Sequence, residues 1–445
     1  MLLQILIYTV ILLVLFKFVD HLRYSSRKRQ YGCQDPPSYP HKDPILGLDF
    51  FFKSMNSLKS GNYLDSRLEL FQPFQSKTFR SSSFGTTTFH TIDPEVVKNY
   101  QTLHFDEFDY APLRYHLAEN LWGNGIAVSD GTEWSAARSF ISSSFDYVHT
   151  ANIERLEYHV GKFMKLLPCD GSTVDLLPLF KRLILDTSSE FIFGQSLNAL
   201  DHPDPSFVHA FQYAQRGTGI RMLLGRLKFL HRDQKWFDAC KQVTDFCESH
   251  VNEAISRMEK GQERRTEKDR LRMVDEAAKA TRDRYTLRSL VLSVFSPAHD
   301  GAAVALSNIF HLARHPRRIC LKDTVFPCGG GPDGTMPLYL RKGDLIEADY
   351  RTMMRDPEFW GPDANEFLPE RWQKVRPTWE YTPFGGGPRA CVGMRLVFTE
   401  CAYTIVTIMR DFKALENRDV ELEWKEQARM TWESKNGTVV GLIPA

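Results

Sequence analysis

The chain opens on a nearly unbroken apolar run, Leu2 to Phe16, interrupted only by Gln4, Tyr8 and Thr9 and continuing through Lys17 to Val19. That is slightly short of the ~20 residues that cross a bilayer as a helix. Arg23, Arg27, Lys28 and Arg29 follow at once, a positive cluster that would stay cytosolic and orient the segment. No small-residue cleavage site precedes them, so an uncleaved transmembrane anchor over residues 1–22 is expected rather than a removed signal peptide. A basic linker, residues 23–44, is stiffened by Pro36, Pro37, Pro40 and Pro44.

Residues 45–445 read as the globular body, mainly helical with a small β-rich part. From Thr78 to Ile92 two alternating runs flank Phe84-Gly85, which predicts a strand pair with a tight turn. Asp93-Pro94 then starts a helix, the aspartate as cap and the proline at its first position. Leu176 to Phe193 has helical periodicity and stops at Gly194, and Phe207 to Arg257 reads as two or more amphipathic helices. Arg257 to Arg288 carries eleven basic and seven acidic residues with few large apolar ones, the pattern of a solvated loop or helix face. Leu287 to Arg314 and Val392 to Met409 are long apolar helical patterns.

Composition narrows the class. A chain of 445 residues, 42% apolar and 12% aromatic, builds one large or two ordinary domains with an ample core. A net charge of +1 argues against nucleic acid as a partner. Eight cysteines with no Cys-x-x-Cys pair suit a reducing compartment, without disulfides or zinc.

One stretch carries chemistry: Phe384-Gly385-Gly386-Gly387-Pro388-Arg389-Ala390-Cys391-Val392-Gly393. Each residue type has a physical reason if Cys391 is an axial thiolate ligand to haem. Three glycines allow positive φ and a close approach to a flat macrocycle, and their amides can moderate the charge on sulfur. Phe384 would shield the thiolate, Arg389 would neutralise a propionate, and Gly393 would let the next helix pack on the porphyrin edge. The bland alternative is a glycine-rich surface turn beside a structural cysteine.

The string Phe-x-x-Gly-x-Arg-x-Cys-x-Gly, matched without a gap, resembles the haem-binding signature of the cytochrome P450 superfamily. That resemblance implies the cytochrome P450 fold, haem b, and electrons from NADPH through a membrane-bound NADPH-cytochrome P450 reductase. Trp134 and Arg138, four apart and so on one helix face, resemble the family's propionate-binding pair. Pro297-Ala298-His299-Asp300-Gly301 stands where the family's distal helix carries an acid followed by threonine. Asp300 keeps the acid of the proton relay, but Gly301 replaces the hydroxyl, which implies poorer proton delivery and uncoupling. His299, at the variable position of that motif, is expected to point away from the haem.

A larger departure follows His315-Pro316. Only Arg317 and Arg318 precede the strand-like Ile319 to Phe326, so the region between 316 and 319 lacks the family's Glu-x-x-Arg helix segment. Glu267 to Arg270 and Glu426 to Arg429 have the spacing by chance, in the wrong places. Arg371, in Phe367-x-Pro369-Glu370-Arg371-Trp372, is thereby expected to lose its carboxylate partner, leaving a strained, hydrated or rearranged core. Phe326 to Gly334, Asn120-Leu121-Trp122-Gly123 and Trp360-Gly361-Pro362-Asp363-Ala364 resemble the fungal branch that hydroxylates alkanes and fatty acids. The implied function is terminal hydroxylation of a lipophilic substrate by an enzyme held single-pass in the endoplasmic reticulum membrane against membrane lipid. Leu113, Leu121 and Ile126 are expected at the substrate entrance. The rival expectation is a truncated, impaired relative that binds haem or lipid without turnover.

Overall fold

Phe84 and Gly85 both adopt left-handed backbone, with φ of 50° and 73°, and this turn folds the alternating runs onto each other as strands Thr78–Ser83 and Thr86–Thr91. The computed structural model describes residues 2–43, 45–151, 153–202, 206–261, 272–307, 317–421, 423–428 and 432–445. Pro44, the Glu267 to Arg270 string, Arg429 and the end of the distal helix at Arg314 lie outside the described residues. Two units emerge: Met1–Asn56 with Leu64–Asp109 and His315–Arg389, and Ser57–Tyr63 with Tyr110–Arg314 and Ala390–Ala445.

The first unit is built on a five-stranded sheet. Leu345–Ala348 runs parallel to the second hairpin strand, Arg317–Cys320 pairs antiparallel beyond it, and Phe108–Asp109 completes the edge. Asp93 caps the following helix, Pro94–Lys98, by accepting from the amides of Glu95 and Val96. Phe79, Phe89, Tyr100, Phe108 and Phe326 fill the core. Beside them lies a buried charged cluster: Arg67 donates to Asp349 at 2.9 Å, to Glu347 at 3.2 Å and to His90 Nδ1 at 3.2 Å. Burial, reinforced by the Arg67 charge, pushes the His90 pKa down to about 3, so the ring stays neutral.

The N-terminal helix, Leu2–Gln30, belongs to this unit. It leaves Ile11, Leu12, Leu15, Phe16, Phe18 and Leu22 exposed. Its polar end is fastened: Arg341 bonds Asp20 at 3.0 Å, and Lys28 bonds Asp35 at 2.7 Å.

The second unit is helical. Its central helix, Arg284–Ser307, packs most extensively on Leu176–Phe193. Among the described residues this is the helix long and apolar enough to cross a membrane, but 82% of it is buried inside the protein, so it is a core helix. It passes through Pro297 as continuous helix. Leu176–Phe193 begins at Asp175, whose side chain accepts from the Leu177 amide, and ends at Gly194 in the left-handed region, φ 78°. Trp236 is fully buried and donates to the Ala214 carbonyl at 3.0 Å. Gly217 permits this, since a Cβ there would sit 2.0 Å from the indole.

One expectation fails here. Within Arg257 to Arg288, Met273–Ala280 forms a helix that buries Met273, Val274, Ala277 and Ala278. Four small or apolar side chains on one face were enough to seat it, although charge dominates the stretch.

The C-terminal helix, Met394–Asp411, buries Glu400 against Thr187, whose hydroxyl donates to it at 3.1 Å. Burial pushes the Glu400 pKa up to about 7 from 4.5, and the Thr187 bond opposes the shift. Between those two pH values the folded state keeps a proton that the unfolded chain has released. This contribution is therefore full below pH 4.5 and lost as pH rises through about 7.

Two outcomes are expected. Glu400→Gln should flatten the pH dependence of urea unfolding across that window, removing a slope of up to ~1.4 kcal/mol per pH unit. Arg67→Met should lower the unfolding free energy by about 3 kcal/mol, because buried Asp349 loses its guanidinium partner, while Glu347 keeps its bond from Arg317 at 2.6 Å.

Candidate cofactor site

Within the first unit, the glycine-rich loop is shaped by its protein neighbours. Gly385 and Gly387 have φ of 74° and 66°. A Cβ on Gly386 would fall 2.2 Å from the Trp379 ring, and one on Gly387 would fall 2.1 Å from the Gln101 carbonyl. Gly386 donates its amide to Gln101 Oε1 at 3.3 Å, and the Tyr350 hydroxyl donates to the same oxygen at 2.7 Å. Phe384 is half-buried, and the Arg389 guanidinium stands 5.9 Å from the Phe105 ring centre.

A residue that no motif singles out joins this half. Arg318, on the strand Arg317–Cys320, is 1% exposed. Burial brings its pKa down to about 9, with the neighbouring Arg389 charge pushing the same way and Tyr100, Tyr350 and Asp109 opposing. Two guanidiniums gathered in a low-dielectric region suit an anionic group. Nothing in the string Arg317-Arg318-Ile319 distinguishes the inward arginine from the outward one except the two-residue alternation of a strand.

Arg371 departs from expectation. It bonds the Asp363 carboxylate at 3.0 Å and the Asp363 carbonyl at 2.8 Å, and reaches the Trp360 carbonyl. The guanidinium is thus held by its own turn. The Asp363 carboxylate is 47% exposed, so the ion pair contributes little beyond geometry.

Within the second unit, Cys391 is half-buried just before the C-terminal helix, which starts at Met394 rather than Val392. Arg138, on the helix Gly131–Ala151, donates to the Ala390 carbonyl at 2.5 Å. It was expected to serve a propionate; here one of its five donors clamps the residue preceding the cysteine. Burial lowers the Arg138 pKa, and Cys391 acts the opposite way. Trp134 lies partly buried one turn earlier on the same helix. Gly393 has an ordinary φ of −83°. Among the described residues a Cβ there would meet only Phe145 at 3.7 Å and the Cys391 sulfur at 3.9 Å, normal contacts that do not demand a glycine.

On the central helix, His299 turns into an aromatic cluster, 4.7 Å from Phe211 and 5.9 Å from Phe295, with Nδ1 3.1 Å from the Ser296 carbonyl. The Asp300 side chain lies outside the described residues. Among the described residues, a Cβ on Gly301 would have nothing within 4 Å. Leu113 is half-buried and Ile126 packs against the helical core, whereas Leu121 is fully buried within it and lines no entrance.

Taken unit by unit, the chemistry suits haem: in the second, the half-buried Cys391 thiol precedes a helix with Arg138 clamping its neighbour; in the first, Arg318 and Arg389 suit an anionic group. Comparison with known proteins agrees. The Cytochrome P450 family model matches residues 42–320 and 317–439. Cytochrome P450 monooxygenase iccC of Talaromyces variabilis is 31% identical over 474 residues, covering 94% of each chain. Since 94% of 445 residues is about 418, about 56 of those 474 positions face gaps in this chain. Cytochrome P450 monooxygenase apdE of Emericella nidulans is 30% identical over 89% of this chain and 86% of its own. The crystal structure of the cytochrome P450DA heme domain superposes with a TM-score of 0.73 at 18% identity, over 93% of this chain and 98% of that one, which fixes the fold. The chain belongs to the cytochrome P450 family and is a monooxygenase that carries haem on a cysteine thiolate and draws electrons from a redox partner.

Proposed function

We propose that Cys391 is the iron ligand and that the chain oxygenates a lipophilic substrate, inserting one oxygen atom at the terminal carbon of a long alkane or fatty acid. The observation that carries the site reading is the clamp of Arg138 on the carbonyl next to Cys391. It fixes the sulfur's backbone independently of any ligand. Trp134, Arg138 and Arg389 hold propionates, Arg318 adds positive charge beside Arg389, and Phe384 screens the sulfur. Gly393, with no protein neighbour that demands a glycine, leaves space toward the porphyrin edge. When bound, thiolate-ligated haem supplies O2 activation.

Asp300 serves as the residual proton donor. The alkyl-chain substrate rests on the resemblance of residues 326–334 and 120–123 to the fungal alkane and fatty-acid hydroxylases. Electrons come from NADPH-cytochrome P450 reductase. The exposed apolar face of Leu2–Gln30 supports a single-pass anchor, residues 1–22, in the endoplasmic reticulum membrane, with 23–44 as linker and 45–445 as a cytosolic catalytic domain. We assign the missing segment to residues 316–319, where the two family matches meet.

Gly301 favours a second reading, an impaired relative that keeps haem but couples poorly. The two separate in one experiment. The purified chain with reductase and NADPH should convert lauric acid, and Gly301→Thr should raise product formed per NADPH severalfold, since the added side chain meets open space. Efficient coupling in the parent chain would overturn the impaired reading; no conversion by either chain would overturn the alkyl-chain reading.

The reduced carbon-monoxide difference spectrum should show a strongly red-shifted Soret band. Cys391→Ala should abolish it. A band that survives this substitution would remove Cys391 as the ligand.

A further inference from the structure

The five residues Trp122–Ile126 join the helix Ala111–Trp122 to the approach of the Arg138 helix. They are stitched to the central helix by three serine hydroxyls. Ser289 Oγ accepts from the Asn124 amide at 3.2 Å, and Ser293 Oγ accepts from the Ile126 amide at 3.1 Å. Ser296 Oγ accepts from Trp122 Nε1 at 3.1 Å. These serines are spaced four and three apart, so they share one face of the helix. The next step of that stripe is position 300.

The stitch has little freedom. Ser289 and Ser293 donate their own protons to the carbonyls of Tyr285 and Ser289, at 2.8 and 2.6 Å. Each hydroxyl is thereby oriented to accept from the loop. All three serines are buried, at 1%, 5% and 3% exposure. Close approach requires Gly123 and Gly125: an added Cβ would lie 2.2 Å from Ser289 Oγ and 1.8 Å from Ser293 Oγ. Beyond the loop, Asp130 accepts the amides of Tyr110 and Ala111 at 2.9 and 2.5 Å, closing the segment at its far end.

We propose that Ser289, Ser293 and Ser296 are positioning residues that lock Trp122–Ile126 as a fixed wall beside the catalytic stripe of the central helix, so that the loop's register decides which substrate carbon is presented. The second half of this statement rests on the monooxygenase reading above. A loop in this position with unsatisfied or solvent-bonded amides would move as a flap. Here the amides of Asn124 and Ile126 are taken by the central helix, and those of Gly123 and Gly125 by the carbonyls of Glu119 and Trp122.

Hydrogen exchange on the purified full chain tests the lock without turnover. In Ser289→Ala/Ser293→Ala the amides of Asn124 and Ile126 should exchange about fivefold faster or more, the equivalent of one lost hydrogen bond at each site. Gly125→Ala, which acts from the opposite side of the same contact, should accelerate the same amides. Unchanged exchange in both variants overturns the proposal. With lauric acid as probe, the double serine variant should shift the ratio of terminal to in-chain hydroxylation while kcat stays within about twofold. A loosened loop with an unaltered product ratio also overturns it. Should neither parent nor variant convert lauric acid, the substrate reading fails while the exchange result still decides the lock.

Discussion

A helix that passes through the middle of a protein must leave no polar group without a partner, and the second unit is arranged around that demand. The central helix carries Ser289, Ser293 and Ser296 into the interior. Each is satisfied from two directions or by a neighbouring donor, and the satisfaction draws a loop onto the helix. The Ser296 carbonyl receives the imidazole of His299 and, at 3.4 Å, the side-chain amide of Gln215. Nearby, Glu400 escapes the cost of a buried charge by holding its proton up to about pH 7. Apolar packing supplies most of the energy here, but the polar groups fix which surfaces meet.

Much of the skeleton was legible in the residues. The Phe84-Gly85 turn, the Asp93 cap and the Gly194 stop each depend on local backbone geometry, which a few adjacent side chains dictate. The cysteine loop was legible for the same reason. What escaped were matters of partner choice. No spacing in the chain announces that Arg138 spends a donor on the Ala390 carbonyl, that Arg318 rather than Arg317 turns inward, or that Leu121 sits inside the core. Those outcomes depend on residues hundreds of positions away. The charged stretch before the central helix misled in the opposite sense, since its average polarity hid a short buried face at Met273–Ala280.

The glycine-rich loop shows how one residue type serves two masters. Gly386 and Gly387 are demanded by Trp379 and Gln101, and Gly385 and Gly387 by their φ angles. Gly393 has neither reason. On the function proposed above, its lack of a side chain serves the haem. Folding constraints and cofactor constraints are then interleaved within nine residues, and a substitution at one glycine tests a different property from a substitution at its neighbour.

Arg371 carries a lesson about local encoding. The partners of its guanidinium, Trp360 and Asp363, lie within eleven residues of it along the chain. Closing so small a loop costs little chain entropy, and contacts of such short separation form without waiting for distant parts of the polypeptide. The turn is a locally encoded module. Such a turn assembles whatever the chain carries upstream, because the information that shapes it travels with the turn itself.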